Sequence, residues 1–145
     1  MGKFILSSLI FILAFHFLAG FLSWYHAIWW LDIPMHLIGG AWVASLFFYL
    51  FNNCWKILPP KGRFFPTLIL CLGFVALVGV LWEFYEYLAD VFINKTHPFF
   101  IVNDTKLLFD TLKDILNDLI GGVFVAIIFL FNPPVKSDSV DKSPK

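Results

Sequence analysis

Charge is scarce in this chain: only 14% of its 145 residues are Asp, Glu, Lys or Arg, against about 25% in an ordinary soluble domain. Ten basic residues balance ten acidic ones, and no basic patch is interleaved with aromatics, so the electrostatic footprint of a nucleic-acid binder is missing. There are two cysteines, Cys54 and Cys71; without a metal-type spacing they read as plain reduced thiols. No Gly-rich phosphate loop, Gly-x-Ser-x-Gly elbow or His-Glu-x-x-His motif occurs, which excludes the familiar soluble chemistries. No internal repeat or heptad stands out. Hydrophobic residues make up 60% and aromatics 20% of the chain, in runs long enough that the bilayer is the expected solvent.

A helix needs about 20 mostly apolar residues to cross the hydrocarbon, and four runs qualify. The first, residues 4–24, carries no charge and ends among Trp24, Tyr25, Trp29 and Trp30, an aromatic belt. It is too long for the apolar centre of a signal peptide, so an uncleaved helix is expected. The second, residues 34–51, opens with Pro34 in its first turn, with Asp32 as the better N-cap. Asn52 to Arg63, with Pro59, Pro60 and Gly62, reads as a basic connector. The third run, residues 67–89, is apolar through Leu81 and then acidic. His97-Pro98 interrupts the next connector. The fourth run, residues 107–131, is polar in its first half and apolar in its second. These spans predict an all-α fold: one antiparallel four-helix transmembrane domain over residues 1–131, followed by a disordered tail from 132 to 145.

Seven of the ten Lys and Arg residues (Lys3, Lys56, Lys61, Arg63, Lys136, Lys142 and Lys145) fall on one side of this topology. By the positive-inside rule both termini are then cytoplasmic. Eight of the ten acidic residues avoid that side: Asp32, Glu83, Glu86, Asp90, Asp104, Asp110, Asp114 and Asp118.

Helical spacing sharpens the pattern. Asp32 and His36 align at i,i+4, Glu83, Glu86 and Asp90 at i, i+3 and i+7, and Asp110, Asp114 and Asp118 at i, i+4 and i+8. A charged side chain at the bilayer centre costs about 2.5–3.5 kcal/mol on the insertion scale unless it faces the bundle interior and finds a partner, so the three stripes are expected to face one another. Lys113 lies about 100° around its helix from Asp114, leaving little positive charge to oppose them. Either some carboxyls stay protonated or a bound cation completes the balance. Gly39-Gly40 and Gly121-Gly122, one turn beyond His36 and Asp118, predict close approach of the second and fourth helices. His16, among Phe and Leu, reads as a helix-to-helix hydrogen-bonding residue, and Trp82 as a wall of the acidic cluster.

Three blocks in order, Asp32-Ile-Pro-Met-His36-Leu-Ile-Gly39-Gly40, Trp82-Glu83-Phe-Tyr-Glu86-Tyr-Leu-Ala-Asp90 and Asp110-Thr-Leu-Lys-Asp114-Ile-Leu-Asn-Asp118-Leu-Ile-Gly121-Gly122, resemble the YjdF-like family of small polytopic bacterial membrane proteins, and more distantly the VanZ-like proteins. Glu86 stands where the VanZ-like pattern has Gln. The resemblance implies an integral protein of the bacterial inner membrane; VanZ-like relatives are associated with glycopeptide (teicoplanin) resistance at the cell envelope.

The expected site is an extracytoplasmic-side centre for a divalent cation, with His36, Glu83, Glu86, Asp114 and Asp118 as ligands. Asp32, Asp90, Asp110, Gly39 and Gly122 support it, Asp32 by orienting His36. The alternatives are a metal-dependent hydrolase acting on a lipid-linked or envelope substrate, a proton- or ion-coupled small transporter, and a scaffold whose carboxylates pair with a partner. The bilayer is the expected partner, and homo-oligomerisation stays open.

Overall fold

The computed structural model describes residues 2–57, 64–94 and 105–131. The connector from Pro59 to Arg63, Lys95, His97-Pro98, Asp104 and the tail 132–145 lie outside the described residues. Among those described there are helices and no strand: α1 (Gly2–Phe21), the single turn α2 (Trp24–Ala27), α3 (Asp32–Phe48), α4 (Phe64–Ala89) and α5 (Thr105–Phe131). Four are long and apolar enough to cross a membrane.

The helix ends differ from the sequence expectation in several places, α4 and α5 each beginning two or three residues earlier, at Phe64 and Thr105. α1 stops at Phe21 rather than reaching Trp24, because Ser23 adopts a left-handed backbone (φ 57°) and turns the chain into α2. Asp32 is not the cap of α3. Leu31 holds that position without a side-chain bond, and Asp32 stands in the first turn, where its carboxylate suits the helix dipole. Tyr49 to Cys54, partly assigned above to a connector, continues α3 as a π-helical turn, ended by Lys56 in the left-handed region (φ 54°). A second π-helical turn, Asp90–Asn94, extends α4.

The spans run up and down in alternation, so α3 and α5 point the same way and form the closest pair. A Cβ built on Gly40 would collide with the backbone carbonyl of Asp118, and one on Gly121 with the carbonyl of Leu37. Glycine at both positions is what lets the two backbones touch. The same test leaves Gly39 only an ordinary contact, 3.7 Å from Asp118 Oδ1. Of the two glycine pairs, Gly40 and Gly121 therefore make the crossing.

Beyond the crossing, Val43, Ala44, Phe47, Phe48, Cys71, Val75 and Ala126 form the apolar core. The rings of Phe48 and Phe129 stack there at 4.4 Å. The outward faces are apolar as well: Phe4, Phe11, Phe65, Phe109 and Phe124 are all exposed. A surface of this kind is stable only where the surroundings are hydrocarbon. Greasy residues thus fill one half of the bundle inside and out, and the polar residues collect in the other half.

Candidate functional site

His36 lies one turn into α3, and its side chain is only 4% exposed. Its ring faces carboxylates on three helices. Nε2 stands 3.5 Å from Asp32 Oδ1 on its own helix and 3.8 Å from Glu83 Oε1 on α4, while Nδ1 stands 3.4 Å from Asp118 Oδ2 on α5. Asp114 and Asp118 are buried too. The i,i+4 spacing that aligned Asp32 with His36, and Asp114 with Asp118, produces this convergence because each pair shares an inward helix face.

Two sets of possible ligand atoms surround the imidazole. Asp32, His36 and Asp114 make one, and His36, Glu83 and Glu86 the other; within each, the donor atoms all lie within 4.8 Å of one another. Carboxylates gathered this closely repel one another unless a proton or a positive charge offsets them. Glu83 Oε1 is buried without a hydrogen bond, as is Asn117 Nδ2, whereas Asp114 Oδ1 has the Lys113 ammonium at 3.3 Å. A buried acceptor left unpaired, as Glu83 Oε1 is, is costly.

Lys113 is closer to the cluster than the helical-wheel angle suggested. Its flexible stem bends back, placing Nζ 2.6 Å from Asp110 Oδ1, 3.3 Å from Asp114 Oδ1 and 3.5 Å from Asp32 Oδ2. It offsets one charge of the group. Asp110 is exposed on the rim of the centre, held by Lys113, and Asp90 falls in the π-helical turn beyond α4, outside both donor sets. Gly122, expected to support the helix crossing, instead faces Val75 on α4, where a Cβ would come within 3.0 Å of Cγ2.

Sequence reasoning missed Gly79. A Cβ there would stand 2.7 Å from Asp118 Oδ2, so this glycine in α4 leaves room for the carboxylate that reaches His36. Its isolation in an apolar run gave no signal. The helix-to-helix bond expected of His16 is made to Tyr25 at 2.9 Å, and the His16 ring packs edge-on against Trp82 at 4.9 Å. Burial, with Asp32 and Glu86 nearby, pushes the Tyr25 phenol well above its usual range, so it keeps its proton.

A helical bundle with an apolar outer surface and a polar interior centre is an integral, polytopic membrane protein. The chain belongs to the family described as Predicted membrane protein (DUF2238), whose match covers residues 3–133; the YjdF-like resemblance is to this family. That match does not extend to the VanZ-like proteins. No curated protein and no solved structure matches.

Proposed function

We propose that the protein binds a divalent cation at the His36 centre, in the half of the membrane away from the cytoplasm, with both termini cytoplasmic. The observation that carries this reading is one imidazole shared by two three-donor sets, in one of which Glu83 Oε1 is buried without a hydrogen bond. Oxygen-rich ligation with one nitrogen suits Mn, Fe, Mg or Zn. The charge balance favours a cation as well: among the described residues, Asp32, Asp110, Asp114, Asp118, Glu83 and Glu86 are opposed by Lys113 and His36.

The geometry also refines the roles expected from the sequence. Asp118 meets Nδ1, the ring nitrogen opposite the one that faces Asp32 and Glu83. In this reading His36 ligates through Nε2, beside Glu83 and Asp32. Asp118 accepts from Nδ1–H and fixes the tautomer, the arrangement common to metal-bound histidines. Asp32 thus moves from orienting residue to ligand, and Asp118 the other way.

Elemental analysis of detergent-purified protein tests the reading, with wild type beside Glu83→Gln and His36→Gln after dialysis against a weak chelator. Near-stoichiometric metal in wild type that is lost in both variants supports it. Metal absent from wild type, or retained in both variants, overturns it.

A further inference from the structure

The His36 centre forms one end of a partly open cavity of about 180 Å³ lined by α1, α3 and α4, with Asp118 from α5. At the far end the walls are hydrocarbon: Leu9 and Leu13 from α1, Val43 from α3, Val75 and Val78 from α4. At the near end they are polar, with His16, Tyr25, Asp32, His36, Glu86 and Asp118. From Val75 to Glu86 the lining follows α4 for eleven residues, roughly 16 Å at about 1.5 Å per residue. The cavity is therefore elongated along the spans, polar at one end and apolar at the other.

The packing of α1 explains why the space exists. α1 buries only Ile5 and Ala19 and is tied to the bundle at its two ends. The Trp42 indole N–H donates to the Ile5 carbonyl at 3.0 Å, and His16 meets Tyr25 and Trp82. Between these ties Ile12 and Leu13 flank the cavity half-buried, leaving a seam between α1 and α4 at hydrocarbon depth. An apolar cavity of about 150 Å³ stays dry and takes up an apolar guest such as benzene. This one is larger and borders the acyl chains themselves.

We propose that the cavity is a binding site for one hydrocarbon chain of a membrane amphiphile, which enters between α1 and α4 with its polar end at the His16–Tyr25 pair and the carboxylate centre. The length, the apolar far wall and the single polar end match an amphiphile; a sugar or peptide would leave its polar groups unpaired against Leu9, Val43 and Val75. The chain site stands on the cavity alone, while contact between the head group and a bound cation rests on the reading above.

The test uses full-length protein in phosphatidylcholine nanodiscs doped with a phosphatidylcholine that carries a mid-chain diazirine, followed by photolysis and residue-level mass spectrometry. Leu13 and Val78, in the cavity, should carry label comparable with that of Phe11 and Leu77, which face the bulk acyl chains and give the level of ordinary lipid contact. Val78→Trp, which fills the cavity, should cut the Leu13 label several-fold, and Leu77→Trp should leave it unchanged. Leu13→Phe, on the loosely packed α1, gives a second filling variant with Val78 as its reporter should Val78→Trp fail to fold. Absence of label from Leu13 and Val78, labelling indifferent to cavity filling, or replacement of lipid label by cross-links between copies would each overturn the proposal. Metal content measured on the same samples separates the two ideas: chain label in metal-free wild type sinks the cation reading alone, and bound metal without chain label sinks the chain site alone.

Discussion

Asp118 Oδ2 stands 3.4 Å from His36 Nδ1, and it reaches that position because residue 79, on a third helix, has no side chain. The pair joins α3 to α5 at the one level where their backbones already touch, so the tightest crossing of the bundle is also the floor of its polar centre.

Two carboxylates on different sides of the imidazole should then differ in their effect on metal. Glu83→Gln removes a ligand and should abolish stoichiometric binding. Asp118→Asn keeps the ligands but loosens the histidine, which should weaken affinity by about 10–100-fold. Competitive titration with a metal-sensitive dye distinguishes the two; equal loss in both would place Asp118 among the ligands.

Gly40→Ala and Gly121→Ala should destabilise the bundle, since each new methyl meets a backbone carbonyl of the facing helix. Overpacking costs about 1–3 kcal/mol where the surroundings can shift, and backbone yields less readily than a side chain. Gly39→Ala, which meets nothing tighter than 3.7 Å, should behave as wild type. Thermal aggregation followed by size-exclusion chromatography in detergent reads the difference.

Gly79→Ala should leave folding nearly intact and disturb the centre. The clash it creates is with a side-chain oxygen of Asp118, which can rotate away, leaving His36 without its Nδ1 partner. Metal content should fall while the melting temperature barely moves; the opposite pattern would mean that Gly79 serves packing alone.

Lys113→Met removes the ammonium that reaches Asp32, Asp110 and Asp114. With more uncompensated negative charge, the centre should bind cation more tightly, by up to about fivefold if the ion pairs contribute about 1 kcal/mol. The variant should also be less stable than wild type in chelator and recover when metal is restored. Unchanged affinity would show that Lys113 and the cation do not share the same charges.

Tyr25 supplies a pH-dependent signature. Its phenol is raised above the ordinary value near 10, so the folded protein favours the neutral form. Its contribution to stability is complete below about pH 10, where the unfolded chain also keeps the phenol protonated, and is lost as pH rises toward the folded value. Phenolate absorbance should show Tyr25 ionising late, as the difference between the titrations of wild type and Tyr25→Phe, and the alkaline loss of stability should be smaller in the variant.

Span number and the shared helix faces that bring Asp32, His36, Asp114 and Asp118 together were legible from sequence, for reasons that are local. A 20-residue apolar run has few stable alternatives to a spanning helix, and i,i+4 spacing puts Asp32 on the face of His36, and Asp114 on the face of Asp118, wherever the helix lies. The division of glycine work was not legible. Gly39 and Gly40 are equivalent in the sequence, and only the rotation of α3 against α5 makes Gly40 the contact. The reach of Lys113 escaped the helical wheel because a wheel places Cα atoms, whereas four rotatable bonds carry the ammonium back over Asp114.

The amino-acid sequence by itself determined that this chain lives in a membrane, as helices, with its carboxylates gathered at one end, since solvent transfer and helical periodicity act on each segment separately. Only the tertiary structure decided which ring nitrogen meets which carboxylate, that Gly79 clears the way for Asp118, and that loosely held α1 leaves an apolar cavity beside the centre. Those features depend on the angle and depth at which separate helices meet, which are set by packing between residues distant in the chain.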